Sequence, residues 1–362
     1  MGQRERKNNF GVMRLIGAVM VIWGHMYVLT GQTPPMFMWE SIHGFGVAVF
    51  FAIGGYLITK SWMRRPVFKE YIVKRIFRIF PALIACVLLT VFVVGPLMTS
   101  IPLREYFSSL LTWKYLLNGV LYINHLLPGV FENNIASTAV NGSLWCLPVE
   151  FLMYLAVPVY VGIGMKLSDR WQKWYYGTTT MLVILARVIW DTWLCGNGIF
   201  VETSYFSQVI IGLISSTIRI IPYFFVGSFF AVGGFEKLLN VQTAVMAVML
   251  ASALFYLSTP FCYVAEYLLI PYVVLAFSLA DKPAFVVFNK RDISYGMFLS
   301  GHVIQQILIQ IAVQKGYTIH IWLLIILSIG FSVVMGFLTE RLIEKPAGKW
   351  MDRIILSMAK EE

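Results

Sequence analysis

One feature constrains this chain above all others: apolar runs of about twenty residues recur along it, separated by short stretches of charged or turn residues. At 1.5 Å rise per residue, a helix of about that length matches the hydrocarbon thickness of a bilayer. By this criterion the sequence predicts ten helices, near 12–30, 43–62, 79–98, 143–163, 175–195, 209–234, 241–259, 263–280, 293–314 and 320–340. The run at 209–234 is long and contains Arg219 and Pro222, which leaves eleven as the alternative count. Of the 362 residues, 59% are hydrophobic and 13% charged, more apolar surface than a soluble domain of this length can hide. The expected fold class is therefore all-α, a polytopic integral membrane helical bundle. A single transmembrane domain over 1–362 is expected, with no appended soluble domain.

The formal charge of +10 raises nucleic acid as a partner, but the cations lie between the apolar spans, which points to the bilayer instead. If the N-terminus is cytoplasmic, one side gathers Arg4, Arg6, Lys7, Lys60, Arg64, Arg65, Lys69, Lys74, Arg75, Arg78, Lys166, Arg170, Lys173, Lys237, Lys282, Lys290, Arg291 and the basic tail. The other side holds Arg104, Lys114 and Lys315. This bias predicts both termini on the cytoplasmic side, and hence an even number of spans. The first span is retained rather than cleaved as a signal, because Arg14 and His25 interrupt it and a Gln-Thr-Pro-Pro turn follows.

Ionisable groups at membrane depth are costly and usually face a bundle interior or a wet cavity. Arg14 and His25 are eleven residues apart, which returns them to within roughly 20° of one helix face, about 16 Å apart along the axis. From the predicted topology His25 and Glu150 both lie about 20 Å from the cytoplasmic face, and His302 about 14 Å. A carboxylate paired with an imidazole would hold one tautomer and make the ring a better base. The structural alternatives are a snorkelling Arg14 and a Glu150 that serves as a hydrogen-bonding partner within the bundle.

The basic segment Arg64 to Phe80 places Lys74, Arg75 and Arg78 on one helical face. Such a segment is most often an interfacial helix on anionic headgroups. Arginine forks also suit phosphate oxygens. The long segment from Thr99 to Asn141 carries Trp113, Tyr115 and Tyr122 and is expected to form a lid or acceptor-binding region. Arg187 and Asp191, four residues apart, are expected to neutralise each other, while Arg219 and Glu266 receive no role. Cys86, Cys146, Cys195 and Cys262 show no metal-ligand spacing. There is no GxSxG elbow and no Walker loop, and no metal is expected.

Taken together, six segments resemble the membrane acyltransferases of acyltransferase family 3. Arg14 and His25 reproduce that family's Arg-x10-His pattern in the first helix. VAVFFAIGGYLITKSW resembles its FFxxSGYL segment, with Gly54 where serine is usual. KRIFRIFPAL resembles its basic run, with Arg75 and Arg78 as the two arginines. NGSLWCLPVEFLMYL is similar to SLWSLSVE and puts Glu150 at the acidic position. SYGMFLSGH is similar to SYGIYLxH, ending at His302, and ERLIEKPAGKW resembles the closing LIExP.

The resemblance implies O-acylation, usually acetylation, of a carbohydrate or cell-surface glycan hydroxyl, with acetyl-CoA or another acyl-CoA as donor. It also implies a multi-pass protein of the bacterial cytoplasmic membrane. On this reading Arg14, Arg75 and Arg78 hold the CoA phosphates, His25 takes the acceptor's proton, Glu150 orients His25, and His302 completes the catalytic set. Direct transfer and an acyl-histidine intermediate use the same residues. The rival from another class is a transporter or flippase of a lipid-linked sugar or polyol, with His25, Glu150 and His302 as a proton relay.

Overall fold

In the computed structural model of the chain, residues 8–195, 205–256, 260–280, 291–317 and 320–361 are described, with the side chains of 193–213, 260, 360 and 361 left out. Arg4, Arg6, Lys7, Lys282 and Lys290 of the charge count, and the Cys195 side chain, lie outside the described set. All ten predicted spans fall on helices: α1 Phe10–Leu29, α2 Ile42–Arg64, α3 Phe68–Leu89, α7 Cys146–Met165, α8 Asp169–Ile189, α9 Tyr205–Ala231, α10 Val241–Ala253, α11 Pro260–Ser278, α12 Ser294–Gln314 and α13 Ile321–Thr339. Short helices α4 Gly95–Met98, α5 Leu103–Ser108 and α6 Leu110–Tyr115 follow α3, and α14 Lys345–Glu361 follows α13. Eight helices among the described residues are long and apolar enough to cross a membrane. α8 is not among these eight, and α10, at 13 residues, covers only about 20 Å.

The third span differs from its expected start. The basic segment is not a separate interfacial helix: α3 begins at Phe68, and a π-turn at Thr90–Val94 carries the helix on to Met98, 31 residues in all. Nothing in Lys69–Phe80 breaks a helix, so the chain stays helical through the basic face, and Pro81 is accommodated within it. A second π-turn, Glu340–Glu344, joins α13 to α14.

The chain divides into two compact units that alternate along the sequence. The first comprises residues 1–17, 36–67 and 152–290. Its main packing is α2 on α9, where two glycines allow the backbones to meet. A Cβ on Gly55 would overlap the Phe224 carbonyl, and one on Gly227 would overlap that of Ala52. Thr59 and Ser228 share a hydrogen bond of 2.6 Å at the same crossing. Before α2 the chain forms a two-stranded hairpin, β1 Met36–Phe37 and β2 Glu40–Ser41, paired Met36 to Ser41 and Phe37 to Glu40. Its two turn residues, Met38 (φ 50°) and Trp39 (φ 66°), are both left-handed, a conformation that costs a non-glycine residue about 1–2 kcal/mol. Ser41 then caps α2 by accepting from the Gly44 amide at 3.3 Å. The expected Arg187–Asp191 ion pair is present on α8 and its π-extension, with Arg187 Nε donating to the Tyr267 hydroxyl at 3.1 Å.

The second unit comprises residues 18–35, 68–151 and 291–362. α12 and α13 form a close helical hairpin, in which a Cβ on Gly296 would stand 3.0 Å from the Gly336 Cα. Met26 and Leu29 of α1 share a core with Ile309 of α12 and Leu324 and Ile325 of α13. α14 lays Met351, Ile354, Ile355 and Met358, all half-buried, on its inner side and packs on α3, while Lys349, Trp350 and Arg353 are exposed.

The 99–141 segment is only in part a surface lid. Leu127, Val130, Phe131, Val140 and Asn141 are buried, and Thr99 bridges to Val130. Asn118 knots the loop by donating to the Tyr115 and Asn124 carbonyls and accepting from the Asn124 amide. The Tyr106 hydroxyl donates to Val91 O at 2.9 Å; burial pushes its pKa up to about 12, so it remains a donor at physiological pH.

Candidate active site

The second unit brings two of the predicted residues together. His25, in the fifth turn of α1, and His302, in the middle of α12, stand edge to face with ring centroids 5.6 Å apart and planes at 78°. His302 is 5% exposed, whereas His25 is half-buried. The His302 ring is thus enclosed, and the His25 ring is the more accessible of the two.

The local sequence sets this approach. Gly301 faces Ile22, where a Cβ would come within 2.7 Å of Ile22 Cγ1, so the glycine before His302 lets α12 press against α1. One turn before His25, the Ile22 carbonyl accepts from Gln305 Nε2 at 2.6 Å. The histidine pair is thus held by a backbone contact and a buried amide on the next turn of α12.

The 134–143 segment closes the other side. Gln306 donates to the Ser137 and Ala139 carbonyls at 2.9 and 2.8 Å, and Asn134 donates to Gln306 Oε1 at 2.8 Å. Asn141 donates to Leu299 O at 2.8 Å, three residues before His302. Gly142 then lies directly against the imidazole: a Cβ there would sit 2.7 Å from His302 Nε2. His302 Nδ1 has no hydrogen-bond partner among the described residues, so neighbouring side chains leave one ring nitrogen uncommitted.

The other predicted residues are placed as follows. Glu150, one turn after Cys146 in α7, belongs to the same unit and is half-buried; the ring set beside His25 is that of His302. Arg75 and Arg78 lie on α3, also in this unit. The Arg75 guanidinium stands over the Tyr71 ring at 5.5 Å. Arg78 is gripped by two carboxylates, Asp292 at 2.9 Å and Glu344 at 3.0 Å, and covers the Tyr295 ring at 5.4 Å. Arg14 is half-buried and belongs to the first unit, eleven residues before His25 on the same helix.

Sequence reasoning missed Gly142, Asn141 and Gln305 around the histidines, and Asp292, Tyr295 and Glu344 around Arg78. A signal was present for some. Asn141 and Gly142 open the NGSLW segment, Tyr295 lies in SYG and Glu344 in LIE, each inside a motif whose other residues drew attention.

These positions coincide with the pattern of a known family, and comparison with known proteins decides the matter. The family described as "Acyltransferase domain" (Acyl_transf_3) matches residues 8–341. The chain belongs to acyltransferase family 3. Among its relatives is an "O-acetyl transferase" of Shigella phage Sf6, 30% identical over 310 residues, covering 84% of this chain and 86% of that one. "Nodulation protein 10" of Rhizobium leguminosarum bv. viciae is 26% identical over 374 aligned positions, covering 95% of this chain and 94% of the relative. No solved structure matches the chain. The acyltransferase match takes in both histidines, Glu150, all three arginines and the carboxylate Asp292, and ends at Arg341, just before Glu344 and α14.

Proposed function

We propose that this acyltransferase moves an acyl group, acetyl in the first instance, from cytosolic acyl-CoA to a hydroxyl of a carbohydrate or cell-surface glycan precursor, with His25 as general base. The observation that carries the reading is the His25–His302 pair: an accessible imidazole, backed by an enclosed one, within a bundle of membrane-length helices. His25 takes the proton from the acceptor hydroxyl as that oxygen attacks the thioester carbonyl. The C–S bond then breaks, and the CoA thiolate leaves and is protonated. Glu150 orients His25, and His302 fixes its ring position.

Arg75 binds the CoA phosphates. Arg78 acts from within its Asp292–Glu344 clamp, which holds α3, the start of α12 and the 340–344 π-turn in register so that the neighbouring Arg75 is correctly presented. The protein acts in the cytoplasmic membrane of a bacterium, with both termini on the cytoplasmic side. The "O-acetyl transferase" name of the phage relative supports acetyl as the group transferred.

Purified protein in nanodiscs, incubated with acetyl-labelled acetyl-CoA, is expected to release CoA thiol and pass the label to an acceptor or to water. Movement of a lipid-linked sugar across liposomes with no turnover of acetyl-CoA would instead support a transporter.

A further inference from the structure

The first unit contains a second buried polar cluster, distinct in sequence and chemistry from the histidine pair. Glu40, delivered by the strained Met38–Trp39 turn, is 1% exposed and accepts from Arg219 through both carboxylate oxygens, from Nε at 3.0 Å and from Nη2. The Ser41 amide and hydroxyl donate to the same carboxylate at 2.7 and 2.9 Å. Tyr223, 1% exposed, donates to Glu266 and reaches Glu40 Oε2 at 3.5 Å, so one hydroxyl bridges two carboxylates.

Arg219 differs from its partners. Its side chain is 44% exposed while Glu40 is closed off, yet it lies inside the apolar window Ile214–Ala231. A guanidinium in that window, fixed by a bidentate pair, keeps its outer edge open, and an ionisable group among spanning helices characteristically faces a wet cavity and not acyl chains. Arginine has five N–H donors, and Glu40 takes two, which leaves three directed elsewhere. The local charge selects the ligand. Glu40, Glu266 and Asp191 stand against Arg219 and Arg187, three carboxylates to two guanidiniums, so there is no surplus positive charge for a phosphate or carboxylate. Donor N–H groups beside carboxylate acceptors complement adjacent hydroxyls of an uncharged sugar. The cluster stands at the Ser41 end of α2, 23 residues from the basic Arg64 end. By the charge bias, that is the side away from the cytosol.

We propose that the Glu40–Arg219 pair, with Tyr223 and Glu266 behind it, is a carbohydrate-hydroxyl subsite that binds the acyl acceptor. The assignment rests on the acyl-transfer reading above, and the test separates the two. Wild type, Arg219→Gln, Arg219→Lys and Glu40→Gln are compared in nanodiscs, with a panel of methyl hexopyranosides as acceptors and acetyl-CoA as donor. Binding of the glycosides is followed by calorimetry. Loss of one or two hydrogen bonds to a charged donor predicts an acceptor KM raised about tenfold in Arg219→Gln, with a smaller rise in Arg219→Lys. The KM for acetyl-CoA stays within about twofold, because only acceptor contacts change.

An acceptor KM in Arg219→Gln equal to that of wild type overturns the subsite alone. So does a parallel loss of hydrolysis and transfer in all three variants, which marks a role in folding. A wild type that turns over acetyl-CoA but neither binds nor acylates any glycoside also overturns it. A wild type with no acetyl-CoA turnover removes the acyl-transfer reading and this assignment with it.

Discussion

At the residue scale, the site depends on small side chains as much as on the histidines. Gly142 leaves no room between its backbone and the His302 ring, so a methyl group there must displace the imidazole from its position beside His25. We expect Gly142→Ala to express and fold normally but to lower acyl transfer by about ten- to a hundredfold, the scale set by displacing a positioned group by about 1 Å. Activity within twofold of wild type would show that the His302 position is not needed. The histidines were legible one at a time, as ionisable groups at membrane depth. Their contact was not. Depth counted from the span ends put them about 6 Å apart along the membrane normal, and the Gly301–Ile22 approach that brings them together depends on helix packing, which no local pattern encodes. Arg78 was legible as a cation on a basic face. Its partners Asp292 and Glu344 lie 214 and 266 residues further along the chain, beyond any periodicity argument.

At the element scale, helix existence followed from composition, because a long apolar run in lipid must satisfy its backbone internally. Helix ends followed less well. The 64–80 segment looked like a separate surface helix because cations alternate with Phe, Tyr and Ile, yet helical propensity does not fall there and α3 runs through from Phe68. The 99–141 segment reads as a lid from its length, whereas Asn118, Asn134 and Asn141 tie much of it into the second unit. The α2–α9 crossing depends on Gly55 and Gly227, a small-residue contact that hydropathy alone does not reveal. Replacing Gly227 with alanine places a methyl group on the Ala52 carbonyl. It is expected to cost at least about 1–3 kcal/mol, as overpacking does, seen as a lowered thermal midpoint in detergent. An unchanged midpoint would mean that the crossing is looser than described.

At the scale of the whole molecule, the charge bias and the family membership converge on a multi-pass acyltransferase. Ten crossings require that α8 and the short α10 span the bilayer along with the eight helices of clear spanning length. Fluorescent protein fused separately to each terminus is therefore expected to fluoresce in the cytoplasm in both cases; a dark fusion at one end alone would mean an odd number of crossings, and dark fusions at both ends would reverse the orientation. The central claim, that His25 is the base of an acyl-transfer reaction, concerns the molecule's purpose, and one substitution addresses it. Acetyl transfer from labelled acetyl-CoA is measured for wild type and His25→Gln, both reconstituted in nanodiscs with matched thermal midpoints. Loss of a general base predicts a fall of about 10²–10⁴-fold with acetyl-CoA binding retained; turnover close to that of wild type in His25→Gln would contradict the account.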